Sequence, residues 1–276
     1  MYKRQEFNQL TSRYIMTQTF TTPHPHKSMS SLAMQEANFD PLVSIVIPVY
    51  NEEGIISAAL ADLCDKLSRV DFSYEIIIAE NGSQDRTIAI VEDFQKHHPE
   101  VQFFSIGEPN YGKALKEGII RARGMYVICD EIDLCDTEFY RIALHKLRQE
   151  NYEFIVGSKR AMGAQDKRPL YRRTATQVLN GMLKVSVGFE GTDTHGLKAL
   201  RKDAILDLVH ACVVDRDMFA SELVVRVHRA QKRWTEVPID LVEKRPPSVH
   251  LFKRVPHVLK NMVRLTMIIR FGKDLK

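Results

Sequence analysis

From Pro41 onward, apolar and polar stretches alternate in a steady rhythm. Val43–Val49, Tyr74–Ala79, Val101–Ser105 and Met125–Asp130 are runs rich in Val, Ile and aromatic residues, as expected of strands buried on both faces of a parallel sheet. Between them apolar residues recur at helical spacing. Ile56, Leu60, Leu63 and Leu67 mark one face of a helix over Ile55–Leu67, and further helices are expected over 86–97 and 113–123. Such β/α alternation with short connections predicts an α/β fold: a mostly parallel, doubly wound sheet with helices on both faces.

The second half is less regular. Strands are expected over Glu153–Gly157, Gly196–Arg201 and Thr235–Leu241. A basic segment, Lys159–Arg173, leads into an amphipathic helix that ends near Val187. Further helices are expected over Met218–Gln231 and Pro256–Phe271. Residues 1–40 are polar and aperiodic and read as a disordered tail. The chain thus divides into a tail (1–40), one α/β domain (41–245) and a basic amphipathic helical segment (246–276).

With 276 residues, 44% of them hydrophobic and 27% charged, the chain has the length and composition for one sizeable core. The net charge of +4 is too small to imply nucleic acid, and the basic residues concentrate from Lys244 onward. Cys64, Cys129, Cys135 and Cys212 show no metal-binding spacing and read as reduced thiols of a cytoplasmic protein. No apolar run approaches the ~20 residues of a membrane span.

The chemistry lies where the strands end. Asn51, Glu52, Glu80, Asn81, Asp85, Glu131 and Asp133 follow apolar runs, and ligands of open α/β sheets sit beyond the carboxyl ends of strands. Glu131 and Asp133, two apart, are expected to project together from the strand end. Paired hard oxygens suit Mg²⁺ or Mn²⁺ bridging a substrate's phosphates. Gly112-Lys113 opens a helix where backbone N–H groups and a lysine suit a phosphate, although the Walker pattern is absent.

Four segments carry a resemblance: Pro48-Val49-Tyr50-Asn51-Glu52, the turn Glu80–Thr87, Gly112–Leu115 and Glu131-Ile132-Asp133-Leu134. In this order and separation they resemble the PxYNE, DDGSxDxT, GK-helix and DADL motifs of the inverting family 2 glycosyltransferases of the GT-A fold. Farther on, Gly157–Arg160, Asp193–Arg201, Ser221–Leu223 and Glu236–Pro238 resemble the branch of dolichyl- and polyprenyl-phosphate mannose or glucose synthases.

The resemblance implies a metal-dependent hexosyltransferase with a UDP- or GDP-sugar donor and a lipid-phosphate or glycan acceptor. It places Pro48, Tyr50, Glu52, Glu80, Asn81 and Lys113 around the nucleotide and Glu131 with Asp133 on the metal. Arg160, Asp193, His195 and Arg201 fall toward sugar or acceptor, and Asp133 and Glu222 among the catalytic groups. Asn81, Glu131, Cys135, His195 and Ala220 depart from the family's usual residues. Glu for Asp at 131 keeps charge and ligand type. A silent nucleotide-sugar binding protein and a homo-oligomer stay open as alternatives. The C-terminal helix, with its apolar side and basic rim, suits the surface of an anionic membrane on the cytoplasmic face, and packing of the same apolar side on the α/β domain or on a second subunit is the alternative.

Overall fold

A computed structural model describes residues 41–164, 169–216, 218–240 and 251–272. The expected N-terminal tail and the boundary near residue 245 lie outside the described residues. Seven strands form one sheet in the order β3-β2-β1-β4-β6-β5-β7. They are β1 (Val43–Val49), β2 (Tyr74–Glu80), β3 (Val101–Ser105), β4 (Tyr126–Cys129), β5 (Phe154–Ser158), β6 (Lys198–Arg201) and β7 (Trp234–Pro238). Strands β1 to β4 pair in parallel, as does β5 with β7. Strand β6 runs antiparallel to both neighbours, so the sheet is mixed at one point.

Eight helices lie among the described residues: α1 (Ile56–Leu67), α2 (Thr87–Gln95), α3 (Tyr111–Arg121), α4 (Thr137–Gln149), α5 (Leu170–Val187), α6 (Lys202–Ala211), α7 (Phe219–Arg229) and α8 (Leu251–Phe271). The period of two along β1 sorts them into layers. Val43, Ile45, Ile47 and Val49 enter a core shared with α1, α2 and α4. Val46 faces the other way, into a core built with α3, α5, α6, α7 and α8.

Several boundaries differ from the sequence expectation for identifiable reasons. Helix α3 starts at Tyr111 because the Asn110 side chain caps it, accepting from Lys113 N at 3.0 Å. Helix α4 was not anticipated. Asp136 caps it through Glu138 N (3.1 Å) and Phe139 N (3.0 Å), and Phe139, Tyr140, Ala143, Leu144 and Leu147 form its buried face. Helix α6, also unanticipated, buries only Ile205 and Val209.

The register sets up the functional end. Val49 lies opposite Glu80, Val46 opposite Cys129, and Glu80 opposite Ser105. The carboxyl ends of β1, β2, β3 and β4 therefore form one rim. Helix α3 packs tightly on β1, since a Cβ at Gly118 would collide with Val46 Cγ1. Running back from β3 toward β4, it presents its first turn, with Tyr111, at that rim.

Helix α8 packs on the α/β domain, as the second of the two readings of the C-terminal segment expects. Met262 and Leu265 are buried in the core, Val258 and Ile269 pack against it, and Arg270 Nη2 donates to Val185 O of α5 at 2.9 Å. Only part of the apolar face, with Leu259 and Val263, remains exposed.

Candidate active site

The loops after β1 and β2 hold each other. Asn51 N donates to Ser83 Oγ (2.9 Å), while Asn51 Oδ1 accepts from Gln84 N (2.8 Å). Glu52 N donates to Thr87 Oγ1 (2.7 Å), Glu53 N to Asp85 Oδ2 (3.1 Å), and Arg86 N to Glu53 Oε2 (3.0 Å). Asn51 adopts φ 55°, a region asparagine tolerates better than most residues. Gly82 has φ 83°, and a Cβ there would lie 2.8 Å from the Glu108 backbone. Glycine is thus required at that turn.

Glu80 is fully buried and accepts from Ser83 N and Ser105 Oγ. Burial alone would raise its pKa, but the hydrogen bonds from Ser105, Ser83 and Gly82 prevail and hold it below the ordinary value. The acidic strand end thus ties two loops together. Asn81 is nearly buried, and its Nδ2 donates to Val49 O at 2.9 Å. Pro48 is buried at the end of β1, with Tyr50 and Glu52 partly buried beyond it.

Beyond β4 the geometry departs from the expected strand. The strand ends at Cys129, and Glu131–Leu134 form a turn closed by Leu134 N and Cys135 N on Glu131 O, at 2.9 and 3.2 Å. Glu131 and Asp133 are brought together by this turn rather than by strand alternation. Asp130, 1% exposed, supports it, accepting from Tyr140 Oη, Glu131 N (2.6 Å) and Asp136 N (3.1 Å). Burial pushes Asp130 up to about 7.

Glu131 is raised chiefly by burial, then by the like charge of Asp133. Lys159 and Lys198 oppose this, and Asp193 adds to it. Tyr111, 38% exposed as a whole residue, opens α3 at the same rim, and its hydroxyl is pushed well up by the burial around it and by Glu131, Cys129, Asp130 and Asp133. Lys159 Nζ lies 2.9 Å from Asp193 Oδ2, with both side chains buried. Lys159 draws Asp193 below the carboxylate range against its burial, and His195 N adds a hydrogen bond at 3.0 Å. Lys198 is 2% exposed and donates to Gly196 O at 2.7 Å. Burial holds its pKa down. Tyr111 and Lys159 did not stand out singly in the sequence, whereas Lys198 is one of the positions by which the Asp193–Arg201 segment resembles the polyprenyl-phosphate branch.

Gly196 lies where β6 approaches β5, and a Cβ there would collide with Gly157 O. Gly196→Ala is therefore expected to force the Asp193–Lys198 segment off β5. We predict a loss of at least about 3 kcal/mol of stability, read as a lowered urea midpoint. A midpoint within error of the parent would contradict this close approach.

The remaining sequence candidates are scattered. Lys113 is half-exposed and paired with Glu108 at 2.6 Å. Arg160 is exposed and, with Thr192, Trp234 and Glu236, borders a cavity of about 450 Å³. His195 reaches Thr194 Oγ1 through Nδ1 at 3.1 Å.

Two assignments need correction. Arg201 pairs in register with Tyr126, the start of β4, whereas Lys198 pairs with Cys129 at its end. Because β6 is reversed, Arg201 lies at the far edge from Glu131 and binds Asp203 (3.2 Å) and Glu153 (3.7 Å). Glu222 is fully buried. Its Oε2 accepts from Val213 N (3.0 Å) and Val214 N (2.6 Å), and its Oε1 meets Arg226 at 2.7 Å. Both of its oxygens are occupied inside the protein, which fits a positioning role better than contact with reacting atoms.

Residues 44–214 match the family described as Glycosyl transferase family 2. The chain belongs to that family, and its sheet is that of the GT-A glycosyltransferases. It is 27% identical over 215 residues to a dolichyl-phosphate beta-glucosyltransferase of Trichomonas vaginalis, covering 72% of this chain and 65% of that protein. It is 29% identical over 176 residues to an undecaprenyl-phosphate 4-deoxy-4-formamido-L-arabinose transferase of Aeromonas hydrophila, covering 62% and 52%. The chain thus spans less than two thirds of either relative's length. Among solved structures, glucosyl-3-phosphoglycerate synthase of Mycobacterium tuberculosis bound to UDP superposes with a TM-score of 0.61 at 18% identity, covering 92% of this chain and 90% of that one. The same enzyme with Mn²⁺, UDP and glucosyl-3-phosphoglycerate gives 0.57 at 16% identity, covering 93% and 88%.

Proposed function

We propose that this chain is an inverting glycosyltransferase that moves a sugar from a nucleoside-diphosphate sugar to a lipid phosphate. The observation that carries the proposal is the carboxylate pair Glu131 and Asp133 at the strand rim, with Tyr111, Lys159, Asp193 and Lys198 gathered around it. The pair fits a divalent cation. Glu131 is raised by burial and by its like-charged neighbours, a field that a cation would relieve, and carboxylates are the hard donors Mg²⁺ and Mn²⁺ take. Glu131 and Asp133 would hold that ion, which supplies charge compensation to a departing diphosphate.

The chain's own groups suggest the rest. The Asn81 amide nitrogen is engaged on Val49, which leaves its carbonyl oxygen to accept from a nucleobase. Lys159 and Lys198 furnish buried positive charge for an anionic acceptor. A phosphate oxygen is already an anion and needs no general base. That agrees with a Glu222 whose oxygens are both occupied. Attack on the face opposite the leaving diphosphate inverts the anomeric centre. The polyprenyl-phosphate relatives and the UDP-bound structural neighbour support a lipid phosphate and a uridine donor.

Thermal shift against UDP-, GDP- and dTDP-sugars with Mn²⁺ tests the donor reading, because a ligand specific for the folded chain raises Tm by mass action. A UDP-sugar is expected to give the largest rise, lost on chelation. No shift with any donor and metal would overturn it.

Among the described residues no helix is long and apolar enough to cross a membrane. Leu259 and Val263 on α8, and Leu170, Tyr171, Val178 and Val185 on α5, are exposed apolar residues of two packed helices. Lys184 and Lys260 add positive charge, each worth roughly 1 kcal/mol at an anionic surface. We predict co-sedimentation with anionic vesicles, weakened by salt and lost in Leu259→Glu/Val263→Glu. Surface substitutions are the right probe, because truncation would also remove the buried Met262 and Leu265. A double variant that sediments like the parent would rule out docking through α8.

A further inference from the structure

We propose that Cys64, His98 and Glu100 form a Zn²⁺ site at the end of the sheet opposite the acidic rim. Cys64 lies near the end of α1, and His98 and Glu100 lie in the connection from α2 to β3. One ligand atom from each falls within 4.8 Å of the others, and His98 Nδ1 is 3.0 Å from Glu100 Oε1. Four residues of β2 and β3 separate this group from Glu80 and Ser105. Glu100 to Ser105 is thus five steps at strand rise, roughly 16 Å, so the site is distinct from Glu131 and Asp133.

The donor set decides the metal. Thiolate, imidazole and carboxylate together are zinc ligands, with bonds of about 2.0–2.3 Å in a tetrahedron. Such a tetrahedron sets its donors roughly 3.3–3.6 Å apart, so the three groups need only small side-chain adjustments. Mg²⁺ and Ca²⁺ prefer oxygen alone. The positions are prearranged. The His98 ring stacks on Phe94 with centroids 4.1 Å apart. The Glu100 backbone is fixed by Ile76 N on Glu100 O (2.9 Å) and Val101 N on His98 O (3.0 Å). Cys64 is 7% exposed, whereas the His98 and Glu100 side chains are 34% and 26% exposed. Entry is therefore from their side, and a water would complete the tetrahedron there.

Binding has a defined proton balance. The Cys64 thiol, held up to about 12 by burial and by Glu100, gives up its proton to solvent as the Zn–S bond forms. His98 binds through Nδ1 and carries its proton on Nε2. Glu100 is already held below the ordinary carboxylate range, because hydrogen bonds from its own backbone, His98 and Cys64 outweigh burial. The ion would clamp α1 to the start of β3 and so stabilise the edge of the sheet on which the β2–α2 loop rests.

The test uses the full chain stripped with a chelator and then titrated with Zn²⁺ or Co²⁺ alone. Co²⁺ is expected to give a thiolate-to-metal charge-transfer band, and Zn²⁺ to raise Tm. Cys64→Ser should abolish the band and weaken Zn²⁺ at least about tenfold. His98→Gln, at a more exposed position and so compatible with folding, should weaken Zn²⁺ similarly. Asp133→Asn should leave the thiolate band intact, because only Cys64 supplies it. The proposal is overturned by a parent chain that shows no thiolate band. Zn²⁺ affinity that is equal in the parent, Cys64→Ser and His98→Gln would overturn it too.

Discussion

Asp133→Asn is expected to lower sugar transfer at least about 100-fold while leaving the melting temperature close to that of the parent. The substitution keeps the side chain's shape and removes one formal charge from the pair that would hold the cation. Charge developing on a departing diphosphate is stabilised in the transition state by groups fixed beforehand, and loss of one such group typically costs roughly 10²–10³ in rate. Asp133 sits in a turn, partly exposed, and the turn's own closure runs through the Glu131 carbonyl and the Asp130 carboxylate. The fold should therefore survive. Excess Mn²⁺ should restore part of the lost rate if the defect is in metal affinity. An Asp133→Asn protein that transfers sugar at the parental rate would remove the metal assignment.

Glu222→Ala should have the opposite signature. Truncation leaves the Arg226 guanidinium, only 18% exposed, without its partner at 2.7 Å. It also orphans the Val213 and Val214 N–H groups. Breaking a buried pair from one side costs about 3–5 kcal/mol, equivalent to a fall in Tm of roughly 6–20 °C for a chain of this size. Val213 and Val214 lead into the loop that meets α3, where Arg216 N donates to Asn110 Oδ1 at 2.9 Å. A looser 213–216 segment should therefore disturb the first turn of α3 and Tyr111 with it. Calorimetry separates the roles: unchanged Tm with abolished turnover would return Glu222 to direct catalysis.

How much was legible in the chain depends on which force wrote each feature. The strands β1, β2 and β4 were readable because burial on both faces leaves an uninterrupted apolar run. The Glu80–Thr87 turn was readable because glycine and capping residues have few structural uses. Helix α4 carries its own apolar stripe and an Asp136 cap, but the polar residues of the Glu131–Asp136 turn run straight into it and mask its start. The direction of β6 leaves no trace in a four-residue strand, since alternation is the same read either way. Arg201 was consequently assigned to the wrong edge. Lys159 gives no signal of its own because lysine is ordinarily exposed, Lys198 is legible only through the resemblance of its segment, and the tertiary fold brings both toward Asp193 and Glu131. For α8 the sequence shows an apolar face without showing what covers it, and the structure divides that face between core and surface.

Transfer of sugar to a lipid phosphate is the decisive measurement. Radiolabelled UDP-glucose and GDP-mannose would be incubated with the purified chain, a short polyprenyl phosphate and Mn²⁺, and the organic phase counted. Lipid-linked label is expected from the uridine donor, β-linked from an α-configured sugar, absent on chelation and absent in Asp133→Asn. Label that stays in the aqueous phase with every donor, from a chain that nonetheless binds nucleotide and metal, would contradict the proposed transfer.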